Sequence, residues 1–118
     1  MNLDLNDKVV CITGASGGIG LALVRAFLEE GAIVCAMYHR NLSAIDELRS
    51  ELPIAQQSQL NPYRLDLQDN DSHKSAIAAI CSAHQHIDIL VNCAGSALEK
   101  PFLLLTPEEI AQQVTTNF

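Results

Sequence analysis

The amino-acid sequence predicts an α/β domain built on a doubly wound parallel sheet, with elements in the order β-α-β-α-β-α-β-α over residues 1–118. Three observations predict it. Short apolar runs, among them KVVCIT (8–13) and AIVCAM (32–37), alternate with longer stretches whose apolar residues recur at helical spacing. Those runs are continuous rather than alternating in apolar character, as expected of strands covered on both faces. A cluster of glycines follows the first run and opens the first helix.

Lys8 to Thr13 is predicted as the first buried strand. From Ile19 the period changes, with Ile19, Leu23, Ala26, Phe27 and Glu30 on one helical stripe and Gly31 as the stop. Ala32 to Met37 gives the second strand. A helix over Ser43–Leu52 is expected next, with Ser43 as cap, Ile45 and Leu48 facing inward, and Pro53 closing it. The polar PIAQQSQLNP reads as a loop, and Tyr63–Leu67 as the third strand. A helix from Asp71 or Ser72 to Ala83 buries Ala76, Ile77, Ile80 and Cys81, with Asp69 and Asp71 available for capping. Ile87–Asn92 is the fourth strand. In LTPEEIAQQVTTNF, Thr106 caps a last helix, Pro107 takes its first position and Glu109 completes a capping box. Four strands alone leave one sheet edge unprotected.

Composition narrows the function. The chain is 48% apolar with a formal net charge of −7, and its Lys and Arg residues are scattered. No nucleic-acid partner is expected without a basic face. No apolar stretch approaches the ~20 residues that span a bilayer, so no membrane partner is expected. The start, MNLDLNDK, has neither a signal-peptide nor a transit-peptide pattern. The four cysteines, Cys11, Cys35, Cys81 and Cys93, form no C-x-x-C pair, and neither a zinc site nor a disulfide framework is expected. A reducing, cytoplasmic location fits. His84 and His86 read as a surface pair rather than metal ligands, and His73 as a solvated residue at a helix start.

Gly14, Gly18 and Gly20 stand between the first strand and the first helix. Glycine serves where the backbone takes positive φ or where something large must approach it. A helix N-terminus offers unpaired N–H groups and partial positive charge to a pyrophosphate. The spacing is G-x-x-x-G-x-G, and no Gly-Lys-Ser/Thr follows, which excludes a P-loop.

TGASGGIG (13–20) matches the T-G-x-x-x-G-I-G motif of the short-chain dehydrogenases/reductases, and three further motifs follow in order. Asp66 in RLDL matches the acidic residue that contacts adenine in that family. VNCAG (91–95) matches N-N-A-G, with Cys93 replacing the second asparagine. Asn117, in PFLLLTPEEIAQQVTTNF, matches an asparagine of the catalytic tetrad. The chain thus resembles the N-terminal half of that family, closest in look to 3-oxoacyl-acyl-carrier-protein reductases and pteridine reductases. The resemblance implies a Rossmann-type fold. It also implies a nucleotide site of Thr13, Gly14, Ser16, Gly18, Ile19, Gly20, His39, Arg40, Asn41, Asp66, Leu67, Asn92, Ala94 and Gly95, with Asn117 catalytic.

The cofactor choice is read just after the second strand. An NAD site carries Asp or Glu there, bonding the ribose 2′-OH. This chain has MYHRN, Met37 to Asn41, with no carboxylate before Asp46. The planar donor fork of Arg40 suits a 2′-phosphate, and His39 and Asn41 offer further donors. NADP(H) is therefore expected, with NAD(H) as the alternative. The run is similar to the Tyr-His-Arg of NADPH-dependent members of the family.

Carbonyl reduction or alcohol oxidation needs a proton donor beside the developing alkoxide. In the resembled family this is the tyrosine of Tyr-x-x-x-Lys, with a serine upstream. Here Leu42 lies four residues beyond Tyr38 and Leu67 four beyond Tyr63, so neither tyrosine has its lysine. The expectation is an oxidoreductase acting on a small carbonyl or alcohol, homo-oligomeric at full length. Residues 1–118 would be its truncated cofactor-binding part, inactive alone. A non-catalytic dinucleotide-binding or interaction module derived from that fold is the other reading.

Overall fold

A computed structural model of the chain describes residues 4–66, 68–93 and the backbone of 104–105. The first two apolar runs form adjacent parallel strands, β1 (Val9–Thr13) and β2 (Ile33–Tyr38), paired with Cys11 opposite Cys35. Strand β3 (Leu60–Arg64) lies beyond β2, and β4 (Ile89–Asn92) pairs with the other side of β1. A two-residue strand, β5 (Leu104–Leu105), runs antiparallel to β4, so the sheet order is β3-β2-β1-β4-β5. The four parallel strands have the 3-2-1-4 order of half a Rossmann-type sheet, as expected. The fifth strand was not expected, and it pairs with Leu90 and Val91 on the β4 edge.

Alternate side chains of each central strand enter different cores. Val10, Ile12, Val34 and Ala36 pack with Val24 and Leu28 of helix α1 (Gly18–Glu29) and with Ile45 and Leu48 of helix α2 (Leu42–Ser50). Val9, Cys11, Cys35 and Met37 pack with Ala76, Ile77 and Ile80 of the last described helix (Asn70–His84). Both sheet faces are covered, which is why the central strands carry no polar alternation.

Several sequence expectations shift. In α1 the buried stripe is Gly20, Val24 and Leu28, while Ile19 is 69% exposed and Ala26 is exposed as well. The i, i+4 row through Gly20 wins because only a glycine lets the helix approach the loop before it. The cap of α2 is Asn41, whose Oδ1 accepts from Ala44 N–H at 3.2 Å and from the Ser43 hydroxyl at 2.7 Å, so Ser43 is not the cap.

PIAQQSQLNP is not a loop throughout: it holds the short helix α3 (Ile54–Gln57) and the start of β3. Strand β3 begins three residues earlier than expected, with Pro62 inside it. It is an edge strand with half-buried sides, so a missing N–H and polar residues cost little there. The helix Asn70–His84, α4, is capped by Asp69 Oδ1 as expected, but its Cys81 is exposed rather than buried. His73 is half-buried, not solvated. The helix expected from Thr106 lies outside the described residues.

Candidate functional site

In open parallel sheets, ligands bind beyond the C-terminal strand ends where the winding direction reverses. Here the chain winds from β1 to β2 to β3, then returns to β4 on the other side of β1. Thr13, His39, Asp66 and Asn92, from four separate segments, gather at that end of the sheet.

The glycine loop is shaped by three different demands. Gly14 takes φ +63°, a conformation that disfavours side chains. Gly20 is pressed against the loop: a Cβ there would lie 2.2 Å from the Gly14 carbonyl oxygen and 2.8 Å from Ala15 Cα. A Cβ on Gly18 would meet no protein atom within 4 Å. The first glycine serves the turn, the last serves helix packing, and the middle one leaves backbone open to approach.

The loop is tied to β2 and closed on itself. Ala15 N–H donates to the Met37 carbonyl at 3.0 Å, and Gly17 N–H to the Gly14 carbonyl at 3.2 Å. The first α1 bond runs from Leu21 N–H to the Gly17 carbonyl. The preceding N–H groups of Gly18, Ile19 and Gly20 therefore have no acceptor within the helix. Gly17 supplies no side-chain cap, and the first turn carries no acidic residue. The partial positive charge of a three-turn helix end is thus left for an anion.

Thr13 and Asn92 are register partners on β1 and β4. The buried Thr13 hydroxyl donates to Asn92 Oδ1 at 2.8 Å and accepts from Cys93 N–H at 3.1 Å. Thr13, one of the residues expected at the nucleotide site, locks the two strand ends that frame the loop. The locking was legible only once the two residues were known to lie opposite each other. Burial pushes the neighbouring Cys93 thiol above its ordinary pKa. Thr13→Val keeps the shape and removes the hydroxyl. It should cost about 0.5–1.5 kcal/mol, because Cys93 N–H loses its acceptor while the exposed Asn92 can turn to water. Urea unfolding checks this, and an unchanged midpoint would contradict it.

At the ends of β2 and β3 the structure brings together residues expected separately. His39 Nε2 lies 3.6 Å from Asp66 Oδ2. Arg40 is exposed and, among the described residues, forms no ion pair. The Asn41 side-chain oxygen is committed to capping α2. Ser16 is half-buried in the loop and Ile19 stands exposed at its rim. Leu67, Ala94, Gly95 and Asn117 lie outside the described residues.

Away from this end, His84 and His86 have separate partners. His84 Nε2 lies 3.2 Å from the Tyr63 hydroxyl, while His86 Nε2 lies 2.9 Å from Asp88 Oδ2. Among the described residues no group of three His, Cys, Asp or Glu could hold a metal, and no helix is long and apolar enough to cross a membrane.

Residues 8–118 match the short chain dehydrogenase family. Human dehydrogenase/reductase SDR family member 11 is 41% identical over 103 residues, a match covering 85% of this chain and 38% of that protein. The 3-oxoacyl-acyl-carrier-protein reductase FabG of Thermotoga maritima is 31% identical over 115 residues, 96% of this chain and 45% of the relative. The solved menthone neomenthol reductase of Mentha piperita superposes with a TM-score of 0.71 at 27% identity, over 76% of this chain and 32% of that one. The chain therefore spans less than half the length of these relatives.

Proposed function

The chain belongs to the short chain dehydrogenase family, and from that premise we propose that residues 1–118 form the cofactor-binding domain of an NADP(H)-dependent oxidoreductase. One observation carries the cofactor choice. The turn after β2 presents an exposed Arg40 with no carboxylate partner among the described residues, where a nucleotide ribose would sit. A guanidinium there favours a 2′-phosphate, and a carboxylate would repel it.

The remaining residues fit such a nucleotide. The open backbone at Gly18 and the N–H groups of the first α1 turn receive the pyrophosphate. Asp66 stands where adenine would lie, and Asn92 is held by Thr13 beside the loop. When bound, the nicotinamide supplies or accepts a hydride. The chain's own part is to hold and orient the dinucleotide along the strand ends. Neither tyrosine of the 118 residues is followed four positions later by a lysine, so the proton donor to a carbonyl is not supplied by Tyr38 or Tyr63. The whole protein is read as a cytoplasmic homo-oligomer that reduces a small carbonyl or oxidises a small alcohol, using Asn117 and residues outside this chain.

Arg40→Asp tests the cofactor assignment. NADPH affinity should fall roughly a hundredfold, from the loss of a charge-assisted contact and added repulsion. NADH affinity should change little. Fluorescence titration of both nucleotides reads the two constants, and equal losses would overturn the assignment.

A further inference from the structure

The nucleotide reading puts a phosphate on the turn after β2, and the carboxylate of Asp66 ends the neighbouring strand β3. Asp66 is held in place: its Oδ1 accepts from Gln68 N–H at 3.0 Å, and its own N–H donates to the Ser72 hydroxyl at 2.8 Å. Its carboxylate is 29% exposed at the end of β3, next to the β2 turn that carries Arg40. A phosphate gripped by Arg40 would feel that negative charge through a partly solvated gap.

His39 directly precedes Arg40 in that turn. Its ring, 42% exposed, turns Nε2 toward Asp66 Oδ2 at 3.6 Å. We propose that His39 is a specificity-determining residue that screens Asp66, so that a 2′-phosphate is tolerated at Arg40. The inference rests on the 2′-phosphate reading of Arg40 and deepens it. The grip is assigned to Arg40, and the removal of a standing repulsion to its neighbour. An N–H or a protonated ring facing the carboxylate both serve, because either presents positive charge to it.

The distinguishing consequence is a suppressor. Without His39, the uncovered carboxylate should penalise NADPH and spare NADH. Neutralising Asp66 in that background should then restore NADPH. A residue that merely gripped phosphate by itself, or merely stabilised the turn, would show no such rescue.

The experiment is a two-by-two cycle of His39→Ala and Asp66→Asn. NADPH and NADH dissociation constants are measured by nucleotide fluorescence at low ionic strength, with circular dichroism confirming the fold of each variant. His39→Ala should reduce the preference for NADPH over NADH about tenfold. The double variant should recover most of it, and Asp66→Asn alone should lower neither the preference nor its sign, whatever it does to both affinities together. His39→Gln, which keeps an N–H donor, should retain most of the preference and serves if the alanine variant misfolds. An unchanged preference in His39→Ala, or a double variant as impaired as His39→Ala, overturns the screening role. Arg40→Asp, measured alongside, separates the two claims: if it weakens both nucleotides equally, the 2′-phosphate reading itself fails, and the screening role with it.

Discussion

Gly20→Ala should destabilise the fold and weaken nucleotide binding together, whereas Gly18→Ala should weaken binding alone. The added methyl at position 20 would lie 2.2 Å from the Gly14 carbonyl oxygen and 3.0 Å from the Ala15 carbonyl carbon. All the atoms it meets are backbone, so no side chain can swing aside. Relief requires α1 to lift away from the loop, which pulls Val24 and Leu28 out of the core under β1 and β2. Overpacking of this kind costs about 1–3 kcal/mol and sometimes more, a large share of the ~5–15 kcal/mol that holds a typical domain. At position 18 the methyl meets nothing. Helix propensity there should raise stability by up to about 1 kcal/mol. A methyl between the backbone and a pyrophosphate carries the same overpacking cost as in a core, about 1–3 kcal/mol, or roughly tenfold to a hundredfold in affinity. Thermal denaturation and NADPH titration of the two variants separate the roles. Equal loss of stability in both would show that Gly18 also serves packing.

Ile12→Ala should be the most damaging core truncation. Ile12 is fully buried in β1, a strand with a parallel neighbour on each side, opposite Ala36 on β2 and Val91 on β4. Its side chain belongs to the core shared with Val24, Leu28 and Ile45. Removing it deletes apolar burial and leaves a cavity that rigid strands cannot close, at a cost of about 2–5 kcal/mol. The melting temperature should fall on the order of 10–20 °C. Because Thr13 follows directly, the Thr13–Asn92 tie and the loop above it should loosen as well. Nucleotide affinity should fall alongside stability, unlike Gly18→Ala. A shift of only a few degrees would mean that the sheet can collapse around the gap.

The strands and helices nearest the glycine loop were legible because their signals are local. A continuous apolar run behind a glycine cluster leaves few alternatives, and Asp69 caps α4 through contacts only two and three residues away. Features that depend on an edge were not legible. β3 tolerates Pro62 and polar neighbours because it has a partner on one side only, and no local pattern reveals which strand ends up outermost. The same holds for Ile19, whose place in the helical period suited a buried stripe. The stripe instead follows Gly20, because the loop packs there.

By itself the sequence determined that this is a parallel α/β domain with a glycine-rich loop between its first strand and first helix and a basic turn after the second strand. Those properties follow from side-chain period, backbone freedom and charge, each carried by residues close together in the chain. Tertiary structure alone decided which glycine meets protein and which meets open space. It also decided that Thr13 locks β1 to β4, and that His39 faces Asp66. Each of these joins groups brought together by strand pairing or helix packing, across 79 residues for Thr13 and Asn92. Such pairings are set by the order of strands in the sheet, which local sequence does not encode.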